Sequence, residues 1–123
     1  MPANREPIIR TSPRMSDLNM NGNIFGGWVL SQMDIASGIT ASRVANGPVA
    51  TVAIKAMKFL RPIQTGDVIS VYTKVTKTGK TSVSIHIDVM ANDQFEKDGH
   101  KVTEGTFVFV AIDENSRPRP IEC

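Results

Sequence analysis

The stretch WVLSQMDIASGITASRVA, residues 28–45, decides the architecture. It runs without a proline, and from Trp28 to Ser42 its only ionisable side chain is Asp34. A surface helix shows a charged stripe opposite its apolar one, so this helix is predicted to be buried over most of its circumference. Asn46-Gly47-Pro48 follows, the residue types that close a helix C-terminus.

Upstream of the helix, residues 7–14 read as a short strand and residues 16–23, rich in Ser, Asp, Asn and Gly, as a loop. Downstream the period changes, and four strands are predicted over residues 49–60, 67–77, 81–91 and 102–112. Alternation sets Ile69, Val71, Thr73 and Val75 against Ser70, Tyr72, Lys74 and Thr76, then Val83, Ile85, Ile87 and Val89 against Ser84, His86 and Asp88. Each strand is therefore expected to keep one wet face. Residues 61–66, 78–80 and 92–99 read as turns short enough to join antiparallel neighbours. One long helix and an antiparallel sheet give an α+β fold, most economically with the sheet curved around the helix. Residues 115–123, with two prolines, read as a loose tail.

A length of 123 residues corresponds to a single domain, expected over residues 1–123, and excludes two-domain dehydrogenases and kinases. With 41% hydrophobic and 21% charged residues the chain can bury a core. Fourteen Lys and Arg against twelve Asp and Glu give a net charge of +2 with no basic block, which argues against nucleic acid as a partner. A small positive excess still suits a small anionic ligand. Cys123 is the lone cysteine, so no disulfide forms within the chain, no Cys cluster holds a metal, and a reducing compartment is expected. The first fourteen residues carry three arginines and no apolar run beyond Ile8-Ile9, so no secretory signal is expected. No apolar run reaches the length of a membrane span, and a cytoplasmic location follows as the expectation.

Asp34 is the anomaly, because a carboxylate within an uncharged helix carries a desolvation cost. It lies on one exposed stripe, or bonds a backbone group, or works in a site. Gly26 and Gly27 stand where the helix begins, and there bare N–H groups and the helix dipole favour negative charge, as an oxyanion hole requires. Asp34 follows Gly27 by seven residues, about 10 Å along the axis and on much the same face. Ser31, Ser37 and Ser42 have neither a nearby histidine nor a nucleophile elbow, so no serine triad is expected. His86 and His100 read as solvated residues on a strand's polar face and near a turn.

The pattern Asn19-x-x-Gly22-x-x-x-Gly26-Gly27, then Asp34 in Ser31-Gln32-Met33-Asp34, resembles the hotdog-fold acyl-CoA thioesterases, most closely their YciA-like acyl-CoA hydrolase branch. Phe59-Leu60-Arg61-Pro62, Gly66-Asp67-Val68 and Thr106-Phe107-Val108-Phe109-Val110-Ala111 extend the resemblance over nearly the whole chain. It implies a hotdog fold and hydrolysis of acyl-CoA to a carboxylic acid and coenzyme A, a role in fatty acid metabolism, with no metal and no cofactor apart from coenzyme A in substrate and product. Asp34 would activate water or attack the carbonyl itself, Asn19 would position water or substrate, and the Gly26 N–H, with Gly27, would hold the oxyanion. Thr51 matches the hydroxyl residue that the family places on the strand after the helix. Lys80 and Arg61, then Lys58 and Arg117, are the basic residues for the coenzyme A phosphates. Asn19 and Asp34 would come from opposite subunits of a homodimer, itself assembling to a hexamer (a trimer of dimers) or a tetramer. Phe25, where many relatives carry histidine, agrees with the YciA-like branch; Asn23 and Lys55, where acids are expected, depart from it and bear on substrate preference. An acyl-CoA sensor would need an effector domain for which this length has no room. A hotdog dehydratase normally uses histidine with an acid, and residues 1–38 contain none.

Overall fold

The computed structural model describes residues 6–20, 22–24, 26–92 and 99–121. Strand β1 (Ile9–Thr11) and a 3₁₀ turn (Met15–Asp17) precede helix α1 (Gly26–Ala45); strands β2 (Val49–Phe59), β3 (Val68–Thr78), β4 (Ser82–Asn92) and β5 (His100–Ala111) follow. The strands form one antiparallel sheet in the order β1-β3-β4-β5-β2, and α1 packs across one face against β2 to β5. This is the expected α+β arrangement, with the four strands after the helix within about two residues of their predicted places and the first shorter than predicted, at Ile9–Thr11 against residues 7–14.

Local chemistry sets the boundaries. Asn46 adopts φ 54° after the last helical residue, and the Gly47 N–H donates to the Ser42 carbonyl at 3.1 Å. That six-to-one bond is a Schellman closure, which Asn and Gly permit because both tolerate the left-handed region. In β4 the β-branched residues Val83, Ile85, Ile87 and Val89 are all fully buried and alternate with half-covered polar ones, as period 2 requires. They meet Val29, Met33 and Ala36 of α1, and Phe107 and Phe109 of β5, in one core cluster.

Four expectations change. The helix buries only one side: Val29, Met33, Ala36, Ser37, Ala41 and Ala45 are covered, whereas Gly26, Gly27, Ser31, Asp34, Ile35 and Ile39 face outward. The sheet curves across a single flank, so an uncharged surface does not ensure burial within one chain. Ser70 and Tyr72, assigned to a wet face, are buried, and Arg10 of β1 reaches over to donate from Nε to Ser70 Oγ at 3.1 Å. Residues 61–66 do not join neighbours; they carry the chain from β2 at one edge, past β5 and β4, to β3. Residues 115–121 are no loose tail. Arg119 bonds the carbonyls of Ala111 and Ile112 through its backbone N–H and Nε, and the Ile121 N–H donates to the Lys80 carbonyl at 2.8 Å. Phe25, Cys123 and most of the predicted 92–99 turn lie outside the described residues.

Candidate active site

Two cavities open between α1 and the β2–β5 side of the sheet. The first, about 370 Å³, sits at the start of the helix and is walled by Ile24, Gly26, Val29, Phe59, Arg61, Ile63 and Thr103, among others. The crossing loop builds it: the Ile24 N–H donates to the Ile63 carbonyl at 3.0 Å, and the Leu60 N–H to the Val102 carbonyl at 2.8 Å. Gly26 stands 3.6 Å, measured from where a β-carbon would lie, from the Phe59 ring. As the first residue of α1, it has an N–H with no intrahelical acceptor.

The second cavity, about 350 Å³, lies further along the helix between α1, β2 and β5, and is walled by Asp34, Ile35, Ile39, Ser42, Thr51 and Phe109 among others. Thr51 pairs with Phe109 in the ladder, and the buried Phe109 ring shows that this face looks toward the helix. Thr51 Oγ1 therefore meets Asp34 and donates to its Oδ1 at 2.7 Å. The bond fixes the carboxylate while leaving its other oxygen to accept a proton. Asp34 does lie on an exposed stripe, but the group it bonds is the Thr51 hydroxyl and not the backbone group that the sequence allowed.

Asn19 is in neither wall; its Oδ1 accepts the Asn23 N–H at 3.1 Å, and Asn23 does line the first cavity. Gly27 is exposed in the first turn. The four basic residues divide between two ends of the sheet. Arg61 lines the first cavity, whereas Lys58 pairs with Glu104 in the ladder, on the face away from the helix. Lys80, in the β3–β4 turn, and Arg117, beyond β5, sit near the end that carries Thr51, since Val83 and Thr51 both pair with Phe109. One chain thus separates Gly26 and Arg61 from Asp34 and Thr51.

His86 was expected to be merely solvated, and the structure places it in a charge cluster on the outer sheet face. Its Nε2 lies 3.0 Å from Asp88 Oδ1 and 3.6 Å from Glu104 Oε2, while Lys101 Nζ bridges the same carboxylates at 3.0 and 3.2 Å. Burial alone would raise the Asp88 carboxyl, but hydrogen bonds from Lys101 and His86 hold it below the ordinary value. The Asp88 bond, outweighing burial, holds the Lys101 ammonium above its ordinary value. His86, Asp88 and Glu104 offer ligand atoms within 4.8 Å of one another, but Lys101 already supplies their counter-charge. Sequence alone does not reveal the cluster, because it depends on the β4–β5 register.

Residues 21–96 match the Thioesterase superfamily. The chain belongs to this family. The acyl-CoA thioester hydrolase YciA of Salmonella typhimurium is 43% identical over 119 residues, covering 94% of this chain and 90% of that protein, which places the chain with the YciA-like members. A hexameric thioesterase from Yersinia pestis superposes with a TM-score of 0.91 at 40% identity, over 98% of both chains. An acyl-CoA hydrolase from Staphylococcus aureus, solved in complex with butyryl-coenzyme A and with coenzyme A, gives a TM-score of 0.86 at 26% identity, over 92% of this chain and 69% of that one. Among the described residues, no helix of this thioesterase is long and apolar enough to cross a membrane.

Proposed function

We propose that the chain hydrolyses acyl-CoA thioesters at sites shared between two copies, and the bond from Thr51 to Asp34 is the observation that carries the reading. Asp34 takes a proton from water, whose oxygen attacks the thioester carbonyl. The negative charge that develops on the carbonyl oxygen is met by the Gly26 N–H, with Gly27 beside it, at the positive end of the helix. The tetrahedral intermediate then expels coenzyme A as a thiolate. A thiol has an ordinary pKa of about 8.5, so this leaving group needs little acid assistance, and one carboxylate suffices.

Helix geometry supports the sharing. Gly26 and Asp34 are eight residues apart, about 12 Å along the axis, yet one carbonyl needs its oxyanion donor and its water-activating base within about 6 Å of each other. The two groups also line different cavities. A two-fold partner whose helix runs antiparallel would bring Gly26 of one chain to Asp34 of the other, with Asn19 and Arg61 from the first chain and Lys80 and Arg117 from the second beside one coenzyme A. The hexameric Yersinia relative supports assembly of such dimers to a hexamer.

Thiol release from a series of acyl-CoA esters tests the function, with Asp34→Asn as the decisive variant. Wild type is expected to release thiol, and the amide to lower turnover by about a thousandfold while the fold is kept, because it preserves shape but takes no proton. Retention of more than about a tenth of wild-type activity, under about 1.4 kcal/mol in the barrier, would exclude Asp34 as the catalytic group.

A further inference from the structure

In β2, two residues stand opposite one: the register passes from Lys55 against Thr106 to Lys58 against Glu104, leaving Ala56 and Met57 to face Gly105 alone. Ala56 takes φ 53°, a left-handed conformation that a residue with a β-carbon adopts in a strand only when its surroundings hold it there. Bulges of this kind re-aim a side chain, and here the side chain is Met57. It lies over Gly105 so closely that a β-carbon there would collide with the Met57 sulfur, and would lie 3.6 Å from the Met33 methyl. Met33 is fully buried.

These three residues stand just behind the wall of the first cavity, one step along each of three elements. Val29, Phe59 and Thr103 line it from α1, β2 and β5. One helical turn beyond Val29 is Met33, and the next helix-facing residues along the two strands are Met57 and Gly105. With the thioester carbonyl at Gly26 and the exposed Arg61 at the rim for phosphate, the buried apolar wall of Ile24, Val29 and Ile63 is left for the acyl chain. We propose that Met57, seated over Gly105 by the bulge and backed by Met33, stands behind the wall that Val29, Phe59 and Thr103 form and sets the longest acyl chain accepted. The inference rests on the thioesterase reading. An unbranched thioether shifts readily among rotamers, so rates fall gradually with chain length instead of stopping at one carbon number.

The test compares thiol release from butyryl- through palmitoyl-CoA by wild type, Met57→Ala, Met57→Leu and Gly105→Ala. Met57→Ala is expected to raise the ratio of long-chain to short-chain kcat/KM by about tenfold, the discrimination that a methylene or two carries in an apolar pocket. Met57→Leu, of nearly equal volume, keeps the wild-type ratio. Gly105→Ala drives Met57 toward the cavity and lowers the ratio, and it decides the matter if Met57→Ala does not fold. A loss of folded protein scales every rate together and leaves the ratio untouched. An unchanged ratio in both alanine variants, with wild type active, overturns the role of Met57. No thiol release from any ester by wild type overturns the thioesterase reading, and this inference with it.

Discussion

Strands β4 and β2 are each eleven residues long and rich in Val, Ile and Ala, yet they use those residues differently. β4 is hydrogen-bonded on both sides, to β3 and β5, and its inward Val and Ile side chains are fully buried. β2 is bonded only to β5, breaks register twice, and leaves Val52 57%, Ile54 47% and Phe59 56% exposed. Helix α1 repeats the contrast, with Met33 and Ala36 covered on one side and Ile35 and Ile39 exposed on the other. β4 holds the chain together, whereas β2 and the outer helix leave an apolar surface, with Ile35 and Ile39 beside Asp34, that the proposed two-chain site would cover. An open strand edge next to an apolar patch is the usual sign of such a contact.

The largest effect expected from that contrast is functional. Asp34→Ala and Asn19→Ala should each be inactive alone, but a mixed dimer of the two holds one site with both residues intact. Random pairing makes half the dimers mixed, so co-expression should restore about a quarter of wild-type activity from background. Verified mixed dimers without recovery would mean that both residues act within one chain or that Asn19 is not in the site, and the exposed face would then need another explanation.

Much of this contrast is legible in the sequence, and the limits of that reading have physical causes. β4 was readable because burial on one face enforces alternation, and Asp34 because a lone charge stands out in an uncharged helix. The covered state of Tyr72 was not, since period 2 gives the face but not what lies over it. The bulge at Ala56 and Met57 leaves no glycine as a signal, and the room for Met57 comes from Gly105, 48 positions away in sequence. The separation of Gly26 from Asp34 was present in the helical rise alone. The 115–121 strap depends on backbone bonds to Lys80 and Ala111 and on the Arg119 guanidinium donating to the Pro48 carbonyl, which composition does not encode.

The next effect in size concerns stability. Ile87→Ala in β4 should cost about 3 kcal/mol, because the cavity it leaves is enclosed on every side. Ile54→Ala in β2 should cost less, and its loss should shrink as the protein is diluted and both proteins dissociate, since it acts through association. Urea unfolding at several protein concentrations measures both. Equal losses at all concentrations would remove the distinction between the two strands.

The smallest effect belongs to the outer sheet face, where β4 and β5 carry the cluster of His86, Asp88, Lys101 and Glu104. Asp88 is held below its ordinary value, so its contribution is present above about pH 4, the unfolded carboxylate range, and fades as pH falls through the lower folded value. Lys101 is held above its ordinary value, so its contribution is present below about pH 10 and fades as pH rises through the folded value. Between these limits the pair is on a plateau. Asp88→Asn should therefore cost about 1 kcal/mol or less near neutral pH, because Lys101 is partly exposed and water screens the pair. The difference from wild type should vanish in acid, where the wild-type carboxylate is itself protonated. Urea midpoints of both proteins from neutral pH down to about pH 3 decide it: a difference that persists undiminished in acid would mean that Asp88 acts by shape and not by charge.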